Sequence, residues 1–326
     1  MAQEKIFQQI AKELRFGTLT GEPGRITGGF MHKMYKLETT SGTYAVKLLN
    51  PTIMKRPDAL GNYQRAEKLE SVLQQNNIPC VPALEIDGRK MHCIDDQYFY
   101  VFNWVNGKSI LWENLTKEHC EIAGTLLAKI HKLEQTEAPF ETGEIHVDWD
   151  NYIAQAIEKC PGIASELANH RDLFYTAQQR YNHALKSMPS ITTICNGDMD
   201  CKNVLWVDNK PFIIDLECLD YGNPYWEMFR LALDWSGDVL CKINFEYLQA
   251  FLNAYRQEFG ELNIDLASLY GIGFGWLDWL DYNVKRALML ECNDEEERRL
   301  GIDQVLTAIP RIVYYDSIRE ELLAHL

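Results

Sequence analysis

Three things are scarce in this chain, and each scarcity excludes a class of protein. No two cysteines stand as a C-x-x-C pair. The nine that occur (80, 93, 120, 160, 195, 201, 218, 241 and 292) are scattered and odd in number. That pattern is neither a disulfide framework nor a zinc site, and it fits thiols kept reduced in a cytosol. Long apolar runs are missing too, so no stretch is read as a bilayer span. The start, Met1-Ala2-Gln3-Glu4-Lys5, is polar and lacks a signal-peptide core. The expectation is a soluble cytoplasmic protein without a membrane partner. Positive charge is short as well: 32 basic residues stand against 47 acidic ones, a formal charge of −15. A field of that sign repels a phosphate backbone, so no nucleic-acid partner is expected, and it attracts small cations.

What remains is ordinary globular composition, 46% hydrophobic and 24% charged, over 326 residues. That length suits two lobes better than one small core. The N-terminal part reads as strand-rich. Residues 4–15 place Ile6, Phe7, Ile10 and Leu14 on one helical face. Residues 24–38 read as strand, glycine turn and strand, and Thr40-Ser41-Gly42 turns the chain into Thr43–Leu49. Gly28-Gly29 fits a mere tight turn, or a loop that lets the backbone approach a phosphate chain. Lys47 lies inside an apolar strand, where a cation is expensive unless it is paired or reaches outward.

A helix over Ala59 to Gln75 carries Glu67 and Glu70, either of which could reach Lys47. Asn76-Asn77 breaks it, and strands are expected near 83–86 and 98–102. After Asn103-Trp104-Val105-Asn106-Gly107 the pattern is helical: Thr116 to Leu133, then 163–187, 225–235, 243–258, 264–291 and 294–324, with a loop over 136–151. His131 closes an apolar face and reads as a hydrogen-bonded core histidine rather than a catalytic one.

One stretch interrupts the helices. Asn196-Gly197-Asp198-Met199-Asp200-Cys201-Lys202-Asn203 runs into the apolar Val204–Val207, turns at Asp208-Asn209-Lys210, and continues through Phe212-Ile213-Ile214 to Asp215-Leu216-Glu217. This reads as a hairpin with Asp198 and Asn203 at its entrance and Asp215 at its exit. Oxygen donors of that kind suit a hard cation such as magnesium, and a carboxylate beside them can orient an attacking hydroxyl. On spacing alone a polar hairpin with ordinary turn residues is an equal reading.

The order of parts decides between these readings. A glycine turn, a strand lysine, a helix glutamate, a hinge, a D-x4-N loop and an Asp closing a hairpin together resemble the aminoglycoside phosphotransferase and choline kinase-like family. The similarity runs from about Ile26 to Arg230, is densest at 196–205 and 213–217, and extends to Tyr221-Gly222-Asn223-Pro224-Tyr225-Trp226-Glu227.

The resemblance implies an α+β, protein-kinase-like two-lobed fold. The small β-rich nucleotide lobe would be residues 1–103, and the larger helical lobe with the catalytic loop and substrate pocket residues 104–326. It implies an ATP-dependent kinase of small molecules with ATP and Mg2+ as cofactors. Asp198 would be the catalytic base, and Asn203 and Asp215 the metal ligands. Lys47 would meet the phosphates with Glu67 (or Glu70) as its partner, under the Gly28-Gly29 loop. Backbone groups of Asn103 and Val105 would hold the base. The family usually has His where this chain has Asn196.

The acceptor is left as an amine or amino sugar of aminoglycoside kind. Alternatives are choline, ethanolamine, a sugar or homoserine, or an inactive nucleotide-binding pseudokinase. Asp200, Glu217, Asp278 and Asp281, with Trp276, Trp279 and Tyr282 interleaved, suit a cationic substrate through carboxylate and cation–π contacts. They equally fit core aromatics flanked by solvated acids, and Lys285 and Arg286 would suit an anion. A protein kinase is disfavoured because Gly222-Asn223-Pro224 follows Asp215 too closely for an activation segment.

Overall fold

The computed structural model describes residues 2–26, 32–138, 143–292 and 294–326. Gly28 and Gly29 lie outside the described residues. Two compact units are present: Met1–Ile110 with Asn196–Asp220, and Leu111–Cys195 with Tyr221–Leu326. The first is built on a sheet and the second on helices, which is the α+β, protein-kinase-like architecture.

The first unit holds an antiparallel sheet of five strands: β1 (Gly24–Ile26), β2 (Lys33–Thr39), β3 (Gly42–Leu48), β4 (His92–Ile94) and β5 (Gln97–Asn103), in the order β1-β2-β3-β5-β4. Strand side chains alternate between faces, and this sheet uses both. Tyr35, Leu37, Val46, Leu48, Phe99 and Val101 pack with Phe7, Ile10 and Leu14 of the helix Ala2–Glu13. The opposite face carries Tyr100 and Phe102, packed with Tyr63 of the helix Ala59–Gln75. Lys47 lies directly across from Tyr100 in the β3–β5 register and so shares that second face. The alternation explains how a lysine sits in an apolar strand: Val46 and Leu48 enter one core while Lys47 points away from it.

The helix Ala59–Gln75 has the ends expected of it. Its last turn closes with Asn77 in the left-handed region (φ 56°), Ile78 N–H donating to the Leu73 carbonyl at 3.0 Å and Asn77 N–H to Gln74 at 3.1 Å. This is the αL cap that Gly or Asn permits. The chain then runs alongside the late hairpin. Val81 N–H donates to the Ile213 carbonyl at 2.8 Å, and Ile213 N–H to the Pro79 carbonyl at 3.0 Å. Those bonds fix the strand Lys210–Ile213, and therefore Asp215, within this unit. The segment 83–86, expected as a strand, makes only isolated bridges at Ala83 and Ile86.

The second unit is helical. Lys117–His131, capped by Thr116 and His119, packs closely with Phe245–Phe259. Gly124 makes this possible, because a Cβ there would lie 2.3 Å from the Phe251 carbonyl oxygen. Three expected spans differ. The loop placed at 136–151 gives way at Trp149 to a helix, Trp149–Lys159. The region 163–187 is two helices, Pro161–Asn169 and Arg171–Ser187. The span 264–291 begins as a 3-10 helix, Leu266–Gly275, before Trp276–Ala287. Gly271 there lies where a Cβ would meet the Arg180 carbonyl oxygen at 2.2 Å, a close approach that glycine permits. Among the described residues no helix is long and apolar enough to cross a membrane.

Candidate active site

The loop that begins at Asn196 is held by short side chains bonding to nearby backbone, as Asx turns do. Asn196, fully buried, accepts the Asp198 N–H on Oδ1 at 3.1 Å. Gly197 takes φ 81°, and a Cβ on it would lie 2.6 Å from the Cys218 carbonyl oxygen. Met199 and Cys201 are buried and anchor the loop from below. Asp200 caps the following turn through the Lys202 N–H at 2.9 Å and pairs with the Lys202 ammonium at 2.5 Å. The carboxylate of Asp198, at the top of the loop, keeps about a third of its side chain exposed (35%).

Asn203 ties the loop together. Its amide nitrogen donates to the Asp198 carbonyl at 2.9 Å and to Asp198 Oδ2 at 2.8 Å. Its main-chain carbonyl accepts the Ile214 N–H at 2.9 Å. That last bond brings the two ends of the hairpin together, one residue from Asp215. The hairpin turn is formed by Asp208 and Asn209, both with positive φ, the two-residue turn whose twist matches that of its strands. Asp215 is itself left-handed (φ 61°, ψ 57°). Such a conformation in a non-glycine residue persists where the surroundings enforce it, and it concentrates at working sites.

Lys47 meets this carboxylate. Its ammonium is 2.5 Å from Asp215 Oδ1 and also bonds Glu217 Oε2. Only 5% of Lys47 is exposed. Burial alone would lower its pKa, but the Asp215 and Glu217 carboxylates reverse this and leave it raised. Burial likewise disfavours ionised Glu217, yet bonds from His32 and Lys47 hold it down at about 2.

The helix glutamates are placed differently from expectation. Glu67 lines a small cavity of about 30 Å³ with Lys47, Tyr63, Tyr100 and Asp215, and accepts the Tyr100 hydroxyl at 2.8 Å. Glu70 pairs with Lys90 at 2.5 Å in a buried setting. At the expected hinge, Asn103 closes β5 opposite Tyr44, and the Trp104 N–H is given to the Thr43 carbonyl at 3.1 Å. Val105 follows, half-buried and outside any strand or helix. Of the residues suited to a substrate, Glu217 and Asp200 are engaged by lysines as described. Asp278 and Asp281 line a cavity of about 410 Å³ in the second unit, with Glu144, Asp148, Tyr152 and Lys285. Tyr152 donates to Asp281 at 2.7 Å, and Lys285 lies 2.9 Å from it.

A second buried cluster is structural. His131 bonds the Tyr255 hydroxyl at 2.8 Å through Nδ1 and Glu227 at 2.8 Å through Nε2. Cys195 is close to this pair, but both ring nitrogens are already engaged.

With this geometry in place, comparison decides the family. The model of the phosphotransferase enzyme family matches residues 24–262. The chain belongs to the phosphotransferase enzyme family. Its fold recurs in distant solved structures. A spectinomycin phosphotransferase in complex with ADP and spectinomycin superposes with a TM-score of 0.67 at 12% identity, covering 95% of this chain and 98% of the other. A microcompartment-associated aminopropanol kinase gives 0.63 at 16% identity, covering 97% and 98%. An amicoumacin kinase in complex with AMP-PNP and Ca2+ gives 0.60 at 10% identity, covering 93% of each. No curated protein matches the sequence.

The donor set fits a divalent cation. Asn203 turns its amide nitrogen to Asp198, which leaves its side-chain oxygen available as a donor atom, and Asp215 offers carboxylate oxygens. Oxygens alone are what a hard ion such as magnesium takes.

Proposed function

We propose that this phosphotransferase is an ATP-dependent kinase of small molecules that transfers the γ-phosphate to an acceptor hydroxyl. The reading is supported chiefly by one observation: Lys47, on the sheet, reaches Asp215, at the exit of the hairpin whose entrance is Asp198 and Asn203. Phosphoryl transfer asks a protein mainly for positioning and for neutralising charge.

In this reading Lys47 draws charge from the phosphates of ATP. Asn203 and Asp215 would hold Mg2+, which when bound would supply Lewis-acid neutralisation of phosphate charge. Asp198 accepts the proton of the acceptor hydroxyl as its oxygen attacks phosphorus, and ADP leaves from the opposite side. Asn203 fixes the Asp198 carboxylate for that task. Asn196 supports the same loop as an acceptor for the Asp198 N–H, the kind of support expected of the histidine usual at this position. Gly28, Gly29, Asn103 and Val105 are assigned to the nucleotide. Residues 1–103 are read as its lobe, and the helical lobe as the acceptor's.

We take the acceptor to be an amine, amino alcohol or amino sugar. The net negative charge and the Asp278–Asp281 cavity support a cation, and Lys285, already paired with Asp281, adds little positive field there. The test is ADP release across a panel of amino alcohols, amino sugars, choline-type amines and aminoglycosides, with Asp198→Ala as the blank. Turnover on a member of the panel, lost in Asp198→Ala with the fold intact, is expected. Near-wild-type turnover in that variant would overturn the assignment.

A further inference from the structure

The lysine that meets the phosphates needs a carboxylate to aim it, and both helix glutamates in reach are otherwise occupied. Glu67 accepts the Tyr100 hydroxyl at 2.8 Å. Glu70 holds Lys90 at 2.5 Å and accepts the Ala83 N–H at 3.2 Å. With Lys90 and Glu70 both buried, pulling Glu70 away would strand a charge without water. The carboxylates on Lys47 are therefore those of Asp215 and Glu217, and Asp215 is the one assigned to the metal.

Glu217 is held from its other side. Its Oε1 lies 3.2 Å from His32 Nε2, while Oε2 takes the Lys47 ammonium. The state of that ring follows from its other nitrogen. The Asn50 backbone N–H is 3.0 Å from His32 Nδ1, and a backbone N–H only donates. Nδ1 must present its lone pair, so the proton sits on Nε2, the nitrogen that faces Glu217 Oε1. The ring is buried, and the Tyr63 hydroxyl stands 3.1 Å from the same nitrogen. A backbone amide, His32, Glu217 and Lys47 thus form one chain of directed bonds.

We propose that Glu217 is the standing partner that orients Lys47 for the nucleotide phosphates, and that His32 is a positioning residue acting through Glu217. The role expected of a helix glutamate passes to a residue two positions after Asp215, on the same turn as the metal ligand. Lysine and metal site are then aligned by one short segment, and the helix Ala59–Gln75 contributes Tyr63 beside His32 rather than a glutamate on the lysine. This rests on the nucleotide site proposed above.

The experiment is calorimetric titration of the full chain with AMP-PNP at saturating Mg2+, with melting temperatures recorded for every variant. Glu217→Gln is expected to weaken binding at least tenfold, and Glu67→Gln by a clearly smaller factor. His32→Gln, whose amide reaches the Nε2 position, should stay within about threefold of wild type. His32→Asn, which reaches only the Nδ1 position, should lose most of what Glu217→Gln loses. Combined with Glu217→Gln, His32→Asn should add nothing, which a merely structural histidine would not produce.

Wild-type affinity in Glu217→Gln, or a larger loss in Glu67→Gln, would overturn the inference. A Glu217→Gln defect that disappears as Mg2+ is raised would also overturn it, by making Glu217 a metal ligand instead. A wild-type chain that binds no AMP-PNP would refute the nucleotide reading itself.

Discussion

The amide nitrogen of Asn203 donates to Asp198 twice, to its main-chain oxygen at 2.9 Å and to its carboxylate Oδ2 at 2.8 Å. One side chain therefore sets both the path of the loop and the direction of its carboxylate. Asn203→Asp replaces a donor by an acceptor facing another carboxylate. Turnover should fall by about a hundredfold, as misplacing a reacting group does. Single-turnover ADP formation checks it, and a variant with wild-type rates would remove Asn203 from that role.

Gly197 sits beside this pair at φ 81°, with the Cys218 carbonyl where a side chain would begin. Gly197→Ala imposes both left-handed strain and a backbone collision, at about 1–3 kcal/mol. Melting temperature and turnover should drop together. An alanine variant as stable and active as wild type would show that the loop has room to shift.

In the second unit Gly124 admits the Phe251 backbone at a distance no Cβ tolerates. Gly124→Ala ought to gain helix propensity on an isolated helix, yet here it should destabilise, since the two helices must move apart. The cost expected of such overpacking is about 1–3 kcal/mol. Denaturant titration reads the sign directly, and a stabilised variant would refute the contact.

Asp238 is buried with Trp276 Nε1–H donating to one oxygen at 2.6 Å. Its other oxygen has no partner among the described residues. Burial raises its pKa from 3.8 to about 6, against the pull of Trp276 and Arg311. The folded protein therefore holds a proton that the unfolded chain has already released between those values. Stability is favoured at the acid end of this window and lost as pH rises through about 6, on the order of 3 kcal/mol. Asp238→Asn lacks that slope. Its melting temperature relative to wild type should rise from about pH 4 to about pH 8, and a constant difference would contradict the buried acid.

What was legible in the sequence was periodic or punctuated. The helix Ala59–Gln75 could be bounded because Pro57 precedes it and Asn76-Asn77 closes it. The hairpin carrying Asp215 was marked by two apolar runs around Asp208-Asn209. The helix Trp149–Lys159 was not, since Asp148, which caps it, resembles the loop before it. The stretch Leu266–Gly275 looked helical by apolar content, which does not distinguish the 3-10 winding it takes from an α-helix.

At the site, residue types and order pointed to Lys47, Asp198, Asn203 and Asp215 through resemblance, and the structure gathers these four in one unit. The partner of Lys47 was not legible. Whether Glu67 is available depends on Tyr100, and whether Glu70 is available depends on Lys90 and the Ala83 amide, competitors that meet only in three dimensions. His32 carried no signal of its own, because its role comes from Asn50 and Glu217.

The pairing of one ammonium with two carboxylates has an electrostatic consequence for the order of loading. Lys47, Asp215 and Glu217 together present a net negative pole to an arriving nucleotide. An uncomplexed triphosphate would be repelled there despite the lysine, whereas a divalent cation reverses the sign of the whole cluster. The site would thus discriminate between free nucleotide and its metal complex before any phosphate is touched, and chelating the metal should turn the nucleotide from a ligand into a bystander.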